Sequence, residues 1–332
     1  MKNDNGIQRR SLMLGAGLSA FAAPAVLTGL SSGAARAQES EAMPVSDGPK
    51  SESFSLGNFK ILVVEDGSRV MDNPGETFGT GQDPETVSAL LEKNFLPADR
   101  MVNGFAPVLV DTGDATILFD TGMGAAGRSW GAGRLVEGLR ANGYQPEDID
   151  VVVITHMHGD HIMGLMEDGA PTYPNARYVF GDKEYAFWSD EARMGTPAEG
   201  GHESVKKLIT PLAEKATFIN GGDSVAPGIE AMEAFGHTPG HLIFMLESNG
   251  EQLVLTADTA NHYVLSLQRP DWHVRFDMDP EAAAKSRRAV FDMIAAERLP
   301  FIGYHMPFPS VGYVEKSGDG YVFMPKTYQF RL

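Results

Sequence analysis

One seven-residue stretch constrains this 332-residue chain more than any other. Directly after the apolar run DIDVVVI (148–154), THMHGDH puts three histidines and one aspartate into residues 155–161. The apolar run predicts a strand from Asp148 to Thr155 of the buried kind, covered on both faces. His156 then opens the loop at the carboxyl end of that strand, where open sheets place their ligands. In extended chain, side chains two residues apart project to the same side, so His156 and His158 can chelate one ion. Asp160 and His161 follow as the chain turns toward a helix. Four such groups exceed what one tetrahedral catalytic zinc takes from a single short stretch while keeping a place for water, so two metals fit better than one. Gathering these ionisable groups without a metal would be costly.

The chain contains no cysteine, so any metal must be held by His, Asp and Glu, and neither a disulfide nor a thiol nucleophile is available. Three further segments offer one candidate each at a strand end: His237 in FGHTPGH (235–241), Asp258 in TADTA (256–260) and His305 in FIGYHMPFP (301–309). His202, His241, His262 and His273 lack that context and are read as structural or surface residues, His241 least securely because it lies near His237.

Strand-like and helix-like segments alternate along the chain, which implies an α/β fold with helices covering sheets. Two hairpins stand out, 107–122 around Gly113-Asp114 and 242–260 around Asn249-Gly250, and both second strands end in Asp-Thr. This weak internal echo suggests two similar halves. Asp83-Pro84 and Asp279-Pro280 mark helix starts, with an aspartate cap and proline in the first helical position.

Composition narrows the partners. A formal net charge of −17 without any basic block disfavours nucleic acid and anionic membrane surfaces. Residues 1–37 read as an export signal: Arg9-Arg10, then a small-residue apolar stretch, then ARA as a cleavage site. The paired arginines resemble a twin-arginine signal, with Gln8 and Leu12 as departures that leave ordinary Sec export open. The expected organisation is a signal at 1–37, a flexible leader at 38–53 and one folded domain at 54–332. That arrangement places the mature protein in the periplasm or outside the cell, without stable membrane insertion and with a homodimer left open.

Taken together, THMHGDH, GHTPGH, ADTA and YHMPFP, in this order and spacing, resemble the metallo-β-lactamase superfamily over about residues 55–330. The resemblance implies a four-layer αββα sandwich in a single domain. Residue by residue, it implies that His156, His158 and His237 hold one Zn²⁺, that Asp160, His161 and His305 hold a second, and that Asp258 bridges both. Asp120 would orient a ligand histidine by accepting its other ring N–H. Two zinc ions, or other divalent transition metals, would share a water whose pKa falls toward about 7, so that a bridging hydroxide attacks and no serine or cysteine nucleophile is required. Asp160 and Asp258 are the catalytic carboxylates, assisting proton movement.

Substrate class follows less directly from the resemblance. The family's true β-lactamases carry Cys or Ser where this chain has Asp258, and an exported protein would rarely meet the thioester of hydroxyacylglutathione hydrolases. Neutral esters, phosphotriesters and lactones remain. The segment YHMPFPSVGYVEKSGDGYVFMP, with the export signal, narrows the likeness to the methyl parathion hydrolase group, and acyl-homoserine lactones are the alternative substrate. A non-catalytic binding protein is disfavoured because all seven ligands are present. Phe78, Phe187, Trp188 and Phe308 are candidates for an apolar pocket wall, while the helical spacing of EYAFW gives one buried face in any case. Tyr304 is expected to be a packed aromatic ahead of an oxyanion donor, and Trp272 to pack at the approach to the last helix.

Overall fold

The hairpins and the buried strand belong to two seven-stranded sheets in the computed structural model, which describes residues 48–328. The segments read as export signal and leader, up to residue 47, lie outside the described residues. The first half of the chain supplies β1 (Ser51–Leu56), β2 (Phe59–Val64), a separate ribbon of β3 (Gly67–Asp72) and β4 (Arg100–Phe105), then β5 (Val108–Asp111), β6 (Thr116–Phe119), β7 (Val151–Ile154), β8 (Arg177–Gly181) and β9 (Thr217–Ile219). The second half supplies β10 (Ser224–Ala226), β11 (Ile229–Glu233), β12 (Leu242–Ser248), β13 (Glu251–Ala257), β14 (Phe301–Gly303), β15 (Val311–Ser317) and β16 (Gly320–Pro325). The sheet orders are β1-β2-β5-β6-β7-β8-β9 and β10-β11-β12-β13-β14-β15-β16.

Two expected boundaries shift. The first strand starts at Ser51, paired with Val64, so the folded domain reaches into the segment read as leader. The strand expected at 148–155 is confined to Val151–Ile154. Pro146 presets a helical turn over Pro146–Asp148, and the Asp148 carboxylate closes it by accepting Gln145 N–H at 2.7 Å. Asp150 then accepts Thr116 N–H with its side chain at 2.8 Å, tying the strand entry to β6.

Alternation along the strands sorts side chains into layers. Val108, Val110, Ile117, Phe119, Val151 and Val153 of the first sheet meet Ile229, Ala231, Leu242, Phe244 and Leu255 of the second in one buried cluster. Phe119 and Phe244 pack edge-on across it, with ring centres 5.0 Å apart. The intervening residues, such as Leu109, Leu118, Val152 and Ile154, face α2 (Leu135–Ala141), α3 (Asp182–Ser189) and α4 (Glu199–Leu208), which follow α1 (Pro84–Lys93) in the chain. On the far side, Ile243, Val254 and Phe301 face Val290, Phe291 and Ile294 of α5 (Pro280–Glu297). Helices, sheet, sheet, helix: these are the four layers the resemblance implies. Both aspartate caps form, Asp83 accepting Thr86 N–H and Asp279 accepting Ala282 N–H. Among the described residues no helix is long and apolar enough to cross a membrane.

The topology positions the site. Strands β6, β7 and β8 run parallel, as do β13 and β14, while β11 is aligned with them through antiparallel β12. The loops after β6, β7, β11, β13 and β14 carry Asp120, the 156–161 cluster, His237, Asp258 and His305 respectively. Leu242 N–H donates to Thr155 O at 3.0 Å, joining the two sheets where those loops emerge.

Candidate metal centre

All seven residues expected from the sequence converge. His156, His158 and His237 form one group, His156, His161 and Asp258 a second, and Asp160, His161 and His305 a third, the ligand-type atoms of each lying within 4.8 Å of one another. Asp258 sits at the middle: one carboxylate oxygen is 3.2 Å from His161 Nε2, while the other is 3.3 Å from His237 Nε2 and 3.1 Å from His305 Nε2. Asp160 lies 3.4 Å from His305 Nε2 and 3.7 Å from His161 Nε2 and is the more accessible carboxylate.

These donors fit metal cations by a criterion of their own. His156 Nε2, His161 Nε2 and Asp258 Oδ1 are buried without a hydrogen-bond partner, a costly state for a polar atom unless something else occupies the space between them. His237 Nε2 and His158 Nδ1 face each other at 2.9 Å, so in the metal-free chain one of them must carry a proton. Burial opposes that proton on His237, but Asp258 and Asp277 outweigh it and the ring is pushed up to about 9. His156 is held well below the usual histidine range, first by burial and then by the neighbouring imidazoles. Burial raises the Asp258 carboxyl, yet His305 and His161 prevail and hold it well below the carboxylate range. An anionic centre ringed by imidazole lone pairs is the donor set of a divalent transition metal.

The outward-facing ring nitrogens are held too. His161 Nδ1 lies 2.8 Å from Asp120, whose carboxylate also accepts Thr155 N–H and Thr155 Oγ1–H at 2.9 Å each, as the resemblance implied. His305 Nδ1 donates to Gly104 O at 2.8 Å. His237 Nδ1 donates to Asp277 at 2.8 Å, and Asp277 is in turn paired with fully buried Arg287 at 3.0 Å. Such partners fix ring orientation and leave the inward lone pairs free.

Asp277 and Arg287 escaped the sequence reading, and so did Glu184. Its buried carboxylate accepts four hydrogen bonds: Met157 N–H at 2.9 Å and Trp188 Nε1–H at 2.7 Å on one oxygen, Thr238 Oγ1–H and Gly240 N–H at 2.8 Å on the other. Met157 separates His156 from His158, and Thr238 follows His237. Glu184 therefore staples the two loops that supply the first group. Burial pushes its carboxyl up while the four donors hold it back. Replacing Glu184 by Gln puts an amide NH₂ against two donors, and the expected cost is about 2–4 kcal/mol of stability from the groups left unpaired. Urea unfolding of the metal-free variant measures it, and an unchanged midpoint would contradict the staple.

Among the remaining histidines, His241 is structural. Burial pushes it down to about 3, so the neutral ring donates from Nδ1 to Ala234 O at 3.0 Å and accepts Asp258 N–H on Nε2 at 3.2 Å. His202 is buried against Trp188 O, His262 accepts the Val264 and Leu265 N–H groups, and His273 lies on the surface beside Glu281. Asn261 steadies Asp258 from the other side, its Nδ2–H donating at 2.9 Å.

A cavity of about 590 Å³ opens over the centre, lined by His158, Asp160, His237, Asp258 and His305 among the seven. The four candidate aromatics do not wall it. Phe78 and Trp188 are buried in helix-facing clusters, Phe187 packs beside Arg193, and Phe308 lies against the layer between the sheets. Helical spacing put Trp188 on the buried face of α3, where its ring meets His158 only edge-on at 6.0 Å. Phe105, Trp130 and Phe276 line the cavity instead, with Val70 and Met71 of the β3–β4 ribbon. Tyr304 is the packed aromatic expected, stacked on His161 with ring centres 3.9 Å apart and its hydroxyl donating to Asp160 O. Trp272 packs beside α1, and its carbonyl accepts from Arg287 of the last helix, again as expected.

Comparison with known proteins agrees with this geometry. The family model described as "Metallo-beta-lactamase superfamily" matches residues 107–305, more than half of the chain. The chain belongs to this superfamily. Among its relatives, an N-acyl homoserine lactonase of a Bacillus species is 28% identical over 215 residues, covering 59% of this chain and 79% of the relative. The N-acyl homoserine lactonase AiiB of Agrobacterium fabrum is 31% identical over 218 residues, covering 56% and 71%. Two solved structures share the fold over 84% of this chain and 98% of their own: the dizinc quorum-quenching lactonase AidC, with a TM-score of 0.77 at 23% identity, and the hydrolase AbOPH of the beta-lactamase superfamily, with 0.76 at 27%. As a metallo-β-lactamase-fold hydrolase, the chain is an ester-cleaving enzyme, and its donor set suits a divalent metal.

Proposed function

We propose that this enzyme opens N-acyl homoserine lactones using two zinc ions, one held by His156, His158 and His237, the other by Asp160, His161 and His305, with Asp258 shared. The observation carrying the reading is the convergence of these seven side chains, five of which (His158, Asp160, His237, Asp258 and His305) line a single cavity shared with Phe105, Trp130 and Phe276. Lactones lead because the relatives reported above are lactonases. The narrower likeness to methyl parathion hydrolases finds no support among them, and phosphotriesters become an arm of the test. An exported location, periplasmic or secreted, is part of the same proposal and rests on residues 1–37.

When bound, the two ions supply Lewis acidity to a carbonyl oxygen and lower the pKa of water, so that an attacking oxygen is available near neutral pH. The chain's own residues do the rest. Asp120, Asp277 and Gly104 O hold the Nδ1–H of His161, His237 and His305, aiming each Nε2 inward. Asp160, the carboxylate open to the cavity, takes the proton from the attacking water and returns it to the lactone ring oxygen as that oxygen leaves. Phe105, Trp130 and Phe276 exclude water from the acyl chain.

A substrate panel tests this. With the purified protein, kcat/KM for an N-acyl homoserine lactone is expected to exceed that for an aryl phosphotriester, a simple aryl ester and a β-lactam by about tenfold or more. Chelation should abolish the activity, and zinc should restore it at two ions per chain. A phosphotriester turned over fastest would replace the lactone reading.

A further inference from the structure

We infer that Asn103 selects lactones that carry an amide, its side-chain Oδ1 accepting the amide N–H of the substrate. This rests on the lactonase reading and deepens it. Asn103 lies on β4, only 7% exposed, and lines the cavity above the metal centre. Its Oδ1 is buried without a hydrogen-bond partner.

Asn261 shares an orphaned oxygen, but its Nδ2 is committed to Asp258, as Asn94 Nδ2 is to Leu90 O and Asn142 Nδ2 to Gly138 O. A buried acceptor left unpaired costs stability, and a ligand that supplies a donor when bound accounts for its presence. Placement supports the same role. The backbone at Asn103 is fixed on one side by the ribbon, where it pairs with Arg69, and on the other by Gly104, whose carbonyl takes His305 Nδ1–H. Alternation along β4 sends Phe105 to the same face as Asn103, and its ring meets the His305 ring edge-on at 5.7 Å. A polar hook and an apolar shelf thus stand side by side at one edge of the site. An N-acyl lactone offers an amide N–H donor beside its alkyl chain, and a plain alkyl lactone offers only the chain.

The experiment compares N-hexanoyl homoserine lactone with a γ-lactone bearing an all-carbon chain of matching length, in the zinc-loaded wild type, Asn103→Ala and Asn103→Leu. The wild type should prefer the amide substrate by roughly tenfold or more in kcat/KM, and both variants should lose most of that preference. Asn103→Leu nearly conserves volume and removes the orphaned oxygen, so it should melt no lower than the wild type, whereas an asparagine with a structural role would destabilise on the same change. An unchanged preference in the variants overturns the role of Asn103 while leaving the lactonase reading intact. A wild type that opens neither lactone overturns both.

Discussion

Asp258→Ala is expected to lower kcat/KM on the order of a thousandfold or more and to leave the purified protein short of at least one of its two proposed ions. The carboxylate is the one acidic group within reach of His161, His237 and His305 together, at 3.1 to 3.3 Å. Without it, the imidazoles face one another with no counter-charge between them. The fold should survive, because the backbone N–H of residue 258 keeps its acceptor on His241 and strand β13 ends before it. Metal analysis alongside turnover separates the outcomes. A variant that retains both metals and full activity would remove Asp258 from the site.

Arg287→Met should be the most damaging change made away from the metal centre. The fully buried guanidinium donates to Thr259 O, Pro270 O and Trp272 O as well as to Asp277, all within 2.8 to 3.1 Å. Removing the cation strands a buried carboxylate, for which a loss of about 3–5 kcal/mol is expected. His237 also loses its firm hold, and zinc affinity should fall by roughly 10–100-fold. Thermal unfolding and zinc titration measure the two effects. Adding Asp277→Asn should cost much less than it does alone, since the stranded charge is then gone; strict additivity would show that the pair does not act as a unit.

How far the sequence reveals this site depends on what kind of signal each residue leaves. The ligands are legible because His and Asp crowd the ends of apolar strands, and the helices because aspartate and proline mark their starts. Their supports are harder to see, yet two of them leave a trace. Arg287 occupies the apolar stripe of α5, in register with Ala283, Ala284, Val290, Phe291 and Ile294, and Glu184 shares the buried face of α3 with Trp188. A charge at such a position has to have a partner, although the sequence does not say which. Asp277 leaves no trace, since it lies in an irregular segment between Val274 and the cap of α5. The cavity wall was misassigned for a related reason. The burial of Phe78 and Trp188 is set by tertiary packing, and the true wall comes from the β3–β4 ribbon, Phe276 and the loop holding Trp130.

The three ligand groups share a pattern: each draws two members from the loop after β7 in the first sheet and one from the second sheet. Neither half of the chain can therefore complete a group alone. On the proposed ligand set, metal capture is an AND gate on assembly: it would have to wait until the two sheets have docked, and an ion once held would become a clasp across their seam. Zinc uptake during refolding should accordingly report the closing of the sandwich, not the formation of either sheet.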